Sequence, residues 1–295
     1  MNFKNLTKEA KLEAFKSLVR ELEIDDDQTP EFNIRAIGEY IPRALERLNN
    51  PGLFDGIPTG YKNLDSIIGG VADEELVVVG GATGRGKSQF VQCILMNQVL
   101  NNNPLLFFTL EMSQIETTIR FMRMIKSKSG GDTEVLKQLP IYFYAGDVVN
   151  LKVLDEAIRQ GVEKGIKLVA IDHLHFFSRS QGESASTEIS YLMREIKMMA
   201  RRHKIPIILV SHIRKLNNAT AMPDLDDLKD SASIAQDADT VIMINRDMNS
   251  PNKIEQNTMR ARVAKNRRTG KLGHCQFYLD DNYFLEEVDY EPANY

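Results

Sequence analysis

Residues 81 to 88 read GATGRGKS, a G-x-x-x-x-G-K-[ST] spacing that follows the apolar run ELVVVG and opens a helical segment. The chemistry such a spacing serves is the grip on a polyphosphate. Gly81, Ala82, Thr83, Gly84, Arg85 and Gly86 form a turn whose backbone N–H groups can point inward at phosphate oxygens. Lys87 puts a cation on the terminal phosphates of a nucleoside triphosphate, Ser88 offers a hydroxyl to Mg²⁺, and Gln89 continues the candidate nucleotide-binding segment.

Hydrolysis needs more than a grip. A second acid should end another buried strand, and KLVAID supplies Asp172, suited to the Mg²⁺ shell through water. Position 173 is His rather than the Glu that often follows this Asp, so a general base must come from elsewhere. Glu111, at the end of LLFFTLE, can reach the same sheet edge and orient an attacking water. His212 ends IPIILVSH at that edge and can contact the γ-phosphate, or it can simply hydrogen-bond a loop.

These residues need elements to hold them. From Gly60 onward apolar runs alternate with helical segments: ELVVVG then a helix from Lys87, LLFFTL then a helix from Ser113, LPIYFYA then a helix from Leu151. KLVAID then precedes a helix from Thr187 to His203, and IPIILVSH and DTVIMIN follow. Continuous apolar strands between helices predict an α/β domain, residues 51–295, with a mostly parallel central sheet flanked by helices. RARVAKN, GHCQFYLD and NYFLEE read as antiparallel strands added at its edge. Residues 1–50 predict a short helical appendage and linker. Leu12, Phe15, Val19 and Leu22 mark one apolar stripe, and Ile34, Ile37, Ile41, Ala44 and Leu48 mark a second. Such helices must dock on the body or on a neighbouring subunit.

Composition narrows the class. Hydrophobic residues make up 42% and charged residues 26% of 295 residues, ordinary for a globular protein with a core. No apolar run approaches the roughly 18 residues of a membrane span. With no signal-like apolar block at the start, the expectation is a cytoplasmic protein without membrane contact. Cys93 and Cys275 are far apart and predict two buried thiols, neither a disulfide nor a zinc site. The net charge of -4 argues against a general polyanion binder. Six basic residues and no acid between Met259 and Lys271 nevertheless predict local positive potential.

Taken in order, IPTGYKNLDSIIGG, GATGRGKS, FFTLEMS, LVAIDHL, ILVSHIRK, DLKDSASIAQDADTVIMINRD and AKNRRTG resemble the replicative hexameric helicases. That group holds the bacterial DnaB helicases, the phage primase-helicases and mitochondrial Twinkle. The resemblance runs from about Ile57 to Glu287 and implies a RecA-like core, ATP or dTTP with Mg²⁺, a hexameric homo-oligomeric ring, and 5′ to 3′ movement on single-stranded DNA. It implies Glu111 as catalytic base, His212 as γ-phosphate sensor, and Lys265 with Arg267 as a basic pair entering the next subunit's site. Arg246 would stack on the base. DNA would meet a loop with Arg179 and another with Arg214, Lys215, Asn217 and Asn218. The resemblance also implies a primase or loader as partner. Residues 32–50 resemble the linker region that packs on a neighbouring protomer. His at 212, where the bacterial members usually carry Gln, is closer to the phage and mitochondrial branch. The alternatives are a RecA-type or clock-type ATPase, which usually carry paired glutamates where this chain has Glu111 followed by Met112, and a regulatory ATPase that binds nucleotide without unwinding.

Overall fold

The computed structural model describes residues 36–50, 56–129, 133–146, 150–174, 183–213, 221–228, 234 and 236–290. The chain divides into two units, Met1–Pro51 and Gly52–Tyr295. In the first, a 3-10 turn over Ile37–Glu39 leads into α1, Ile41–Asn49. The second predicted stripe is thus broken at Tyr40, because Pro42 is tolerated only in a helix's first turn. Ile34 and the first stripe lie outside the described residues.

In the second unit the elements are α2 (Lys62–Ile68), β1 (Leu76–Gly81), α3 (Lys87–Leu100), β2 (Leu105–Thr109), α4 (Gln114–Ser129) and β3 (Ile141–Phe143). There follow α5 (Leu151–Glu163), β4 (Leu168–Asp172), α6 (Glu183–His203), β5 (Ile207–His212), β6 (Thr240–Arg246) and α7 (Lys253–Asn257). The chain closes with β7 (Thr258–Asn266), β8 (Gly273–Leu279) and β9 (Leu285–Val288). One sheet holds all nine strands in the order β3-β2-β4-β5-β1-β6-β7-β8-β9. The pairs from β3 through β6 are parallel, and β7, β8 and β9 add antiparallel. This is the expected α/β architecture with its antiparallel edge.

Strand alternation builds two cores. Val77 and Val79 of β1 point into the layer holding Phe90, Ile94 and Phe277, while Leu76 and Val78 enter the opposite layer with Ile158, Met193 and Ile196. Side chains buried this completely contribute about 1.5–3 kcal/mol each. The strands carrying the site are thereby clamped from both faces. Helix α3 is buried nearly all round, including Phe90, Val91, Leu95 and Met96. Cys93 and Cys275 are buried free thiols, as expected.

Three expectations shift. Helix α6 starts at Glu183, earlier than Thr187, since Glu and Ala residues there are good helix formers. Strand β9 starts at Leu285 because Asn282 and Tyr283 belong to a turn. There the Asp280 carboxylate accepts from the Asn282 and Phe284 N–H groups. The basic run from Met259 to Lys271 is not an open positive patch. Arg260, Arg262, Arg267 and Arg268 meet Glu255, Asp224, Asp239 and Glu75 respectively, acids that the fold brings in from elsewhere.

Candidate nucleotide site

Parallel register decides which residues meet. Gly81 at the end of β1 is level with His212 at the end of β5, and Thr109 of β2 is level with Asp172 of β4. The order β2-β4-β5-β1 therefore lines up one carboxyl edge, the position where open α/β sheets bind ligands. Between β1 and α3 the chain turns through Gly84 and Gly86, at φ 76° and 95°, a backbone region that side chains with a Cβ rarely adopt. Helix α3 has Gly86 as its N-cap and no side-chain cap, so its first N–H groups point to whatever occupies the turn.

A cavity of about 310 Å³ opens there, lined by Thr83, Gly84, Gly86, Lys87, Ser88 and Gln89 together with Glu111, His212 and Arg246. Gly81, Ala82 and Arg85 shape the turn without lining the cavity. The Ala82 carbonyl accepts from Lys87 Nζ at 3.0 Å, and the Arg85 guanidinium donates to the Arg246 carbonyl, tying the turn to the end of β6. Gln89 donates to the Tyr283 carbonyl, which fixes the β8–β9 turn against α3.

Lys87 is almost fully buried, and burial lowers its pKa to about 8, opposed by the charges of Glu111 and Asp172. Asp172 is the complementary case. Burial raises it to about 6, against the hydrogen bond from Ser88, with Glu111 raising it further and Lys87 and Arg120 lowering it. Its Oδ1 is buried with no hydrogen-bond partner. A buried carboxylate oxygen without a donor, beside a hydroxyl on the same phosphate-facing turn, suits a hydrated hard cation such as Mg²⁺. Ser88 and Asp172 are the residues that would hold it.

The raised pKa of Asp172 costs stability at neutral pH. With its folded pKa above the usual 3.8, the penalty for the buried charge is absent below that value, grows as pH rises, and is complete above about pH 6. It amounts to ~3 kcal/mol as an upper figure. Asp172→Asn should therefore raise the denaturation midpoint of nucleotide-free protein at pH 8, and raise it less at pH 5. An equal gain at both pH values, measured by denaturant titration, would show that the charge is fully compensated.

Glu111 lies beyond β2, where the Leu110 and Glu111 N–H groups donate to the Asp172 carbonyl at 2.8 and 3.3 Å. His173 Nε2 stands 3.9 Å from Glu111 Oε2, and its ring meets that of His212 edge-on at 4.3 Å. Burial, then the charge of Lys87, lowers His173 to about 4. It is neutral near pH 7, so it does not lock Glu111 into an ion pair. One donor atom each from Glu111, His173 and His212 lie within 4.8 Å of one another, a polar wall facing the phosphate turn.

Sequence reasoning missed Met112, Arg120, Leu279 and Tyr283, which also line the cavity. Arg120 sits on α4 outside any recognisable motif and brings a further cation to the cavity, where its charge acts on Asp172. Only its place on the helix that leaves Glu111 would have flagged it. Tyr283 comes from the β8–β9 turn at φ 63°, with the Arg123 guanidinium 5.1 Å from its ring centre. It lies far from the phosphate turn in sequence, and no local pattern marks it.

The chain matches the DnaB-like helicase C terminal domain across residues 56–285. It belongs to that family. Among relatives, a probable replicative DNA helicase of Trieres chinensis is 31% identical over 257 residues, covering 77% of this chain and 56% of the relative. The replicative DNA helicase DnaB of Helicobacter pylori strain 26695 is 29% identical over 250 residues, covering 77% and 50%. The chain thus spans about half the length of the curated relatives it matches. A solved structure of an isolated ATPase domain superposes with a TM-score of 0.75 at 22% identity, over 88% of this chain and all of that one. A DnaB-like replicative helicase studied with primase gives 0.72 at 20% identity, over 95% and 74%. These likenesses show that the chain shares the fold of those proteins.

In this DnaB-like domain, Lys265 and Arg267 stand away from the cavity. Asn266 is level with Thr240, and Thr240 with Val77, so the pair sits at the amino edge of the sheet, opposite the phosphate turn. Along β1 that is about 13 Å at the usual rise per residue. Arg179, Arg214, Lys215, Asn217 and Asn218 lie outside the described residues. Among the described residues, no helix is long and apolar enough to cross a membrane.

Proposed function

We propose that this chain is the motor of a ring-forming replicative helicase that hydrolyses ATP, or dTTP, to move 5′ to 3′ along single-stranded DNA. The observation that carries the reading is the split of the machinery between two sheet edges. Lys87, Ser88, Glu111, Asp172 and His212 gather at the carboxyl edge, while Lys265 and Arg267 sit at the amino edge. A cation there cannot serve its own cavity. It can serve the cavity of a neighbour in a head-to-tail ring, the heterologous packing that closes into cyclic oligomers.

In this mechanism Lys87 and the N–H groups of the turn hold the phosphates, and Ser88 and Asp172 would hold Mg²⁺, which when bound would neutralise charge on the phosphate oxygens. Glu111 orients the attacking water, and His212 senses whether the γ-phosphate is present. Arg246 flanks the base end of the cavity, where its guanidinium suits stacking. Subunit contact is assigned to the first 50 residues, where Ile37, Ile41, Leu45 and Leu48 expose apolar surface along the turn and helix. A primase or loader is assigned as a partner of the ring as a whole.

The test is ATP turnover at a concentration where light scattering reports assembly, with and without single-stranded DNA, followed by unwinding of forked duplexes with either a 5′ or a 3′ tail. DNA should stimulate turnover several-fold, and unwinding should require the 5′ tail. Turnover indifferent to DNA in a demonstrably assembled sample would overturn the reading and favour a clock-type or regulatory ATPase.

A further inference from the structure

Asp239 is a buried carboxylate, 6% exposed, at the entrance to β6. Its Oδ2 accepts from the Leu76 N–H at 2.8 Å and from Lys197 Nζ at 2.5 Å, and its Oδ1 accepts from Arg267 Nη1 at 3.3 Å. The same residue's carbonyl accepts from the Arg267 N–H at 2.8 Å, and its N–H donates to the Leu76 carbonyl. Lys197, on α6, also donates to the Glu74 carbonyl at 2.7 Å. Arg267 Nη2 is held by the Gln236 carbonyl at 2.8 Å, and Lys265 Nζ by the Ala238 carbonyl at 2.6 Å. Both basic side chains are thus seated on the stretch from Gln236 to Asp239.

The Arg267 side chain nevertheless keeps 54% of its surface exposed. Two of its five donors are anchored from behind, and the remainder of the fork is presented outward. A long side chain on a surface turn would otherwise sample many rotamers, and a cation that must meet a transferring phosphate in another subunit cannot act from most of them. A carboxylate bound to β1, the strand that leads into the phosphate turn, and to α6 through Lys197, fixes it to two buried elements of the fold.

We infer that Asp239 and Lys197 are positioning residues for the neighbouring subunit's ATP hydrolysis, acting through Arg267. This rests on the trans role proposed above for Arg267. Asp239 sets the direction of the guanidinium, and Lys197 sets Asp239, so neither touches nucleotide in its own subunit. A structural ion pair would also weaken the fold when cut, but it would not act solely through Arg267. That difference is measurable.

The experiment compares assembled wild-type protein with Asp239→Asn, Lys197→Met, Lys197→Arg and Arg267→Ala, and with the doubles Asp239→Asn/Arg267→Ala and Lys197→Met/Arg267→Ala. Turnover is read as kcat, and nucleotide affinity by a fluorescent ATP analogue. Lys197→Met carries the inference if Asp239→Asn fails to fold. Each single positioning change should lower kcat on the order of 10- to 100-fold at unchanged nucleotide affinity. Lys197→Arg should recover most of the loss, and both doubles should match Arg267→Ala alone. Losses that multiply in the doubles, or full kcat in Lys197→Met, overturn the inference while the trans reading stands. An assembled Arg267→Ala protein with wild-type kcat removes the trans reading itself, and this inference with it.

Discussion

With Arg267 replaced by alanine, the assembled protein should lose roughly 10³-fold or more in ATP turnover, the scale on which an arginine supplied to a transferring phosphate acts. Nucleotide affinity should be nearly unchanged, because the described residues proposed to hold the phosphates lie at the opposite sheet edge from Arg267. The loss should also depend on assembly. In dilute monomeric protein, wild type and variant should hydrolyse ATP equally slowly, since no cavity there receives a neighbour's cation. Arg267→Lys should recover little. An ammonium can still interact with Asp239, but it lacks the second arm that reaches the Gln236 carbonyl and the planar fork that meets phosphate oxygens. Steady-state kinetics across a dilution series, with scattering to report assembly, checks all three statements. A monomeric wild-type preparation as active as the ring would sink them together.

The part of the site visible in the sequence is the part written in contiguous spacing. GATGRGKS fixes a turn because glycine adopts its backbone angles far more readily than residues with a Cβ, and Asp172 and His212 end apolar runs, which the parallel register converts into neighbours at one edge. The sheet was legible for the same reason: strands buried on both faces are continuous apolar runs. What escaped depends on long-range folding. Arg120 and Tyr283 enter the cavity from a helix and a turn with no signature of their own. The charge of the run from Met259 to Lys271 was legible, but not its neutralisation, because Glu75, Asp224, Asp239 and Glu255 are brought to it by different elements. His173 could be read only as a missing glutamate. Its effect, a neutral ring wedged between Glu111 and His212, comes from burial beside Lys87.

That environment sharpens the expectation for Glu111. Glu111→Gln keeps the shape and hydrogen-bonding reach of the side chain but cannot take a proton, so turnover should fall about 10²- to 10⁴-fold, the range a positioned general base contributes. ATP should still bind, and Glu111→Gln should trap it, because Lys87, Ser88 and the N–H groups of the turn are untouched. The removed charge has a second effect. Glu111 is the stronger of the two carboxylates that support protonation of Lys87 against burial, and Lys87 already stands at about 8 in the nucleotide-free protein. Without Glu111 that value should fall further, so ATP association with Glu111→Gln should weaken at a lower pH than in the wild type as pH is raised from about 7 to about 9. Binding titrations across that range separate the two roles, since base function governs kcat alone and charge support governs affinity. Near-normal turnover in Glu111→Gln would move the base elsewhere. His173, 3.9 Å away and neutral, would then be the group to replace next.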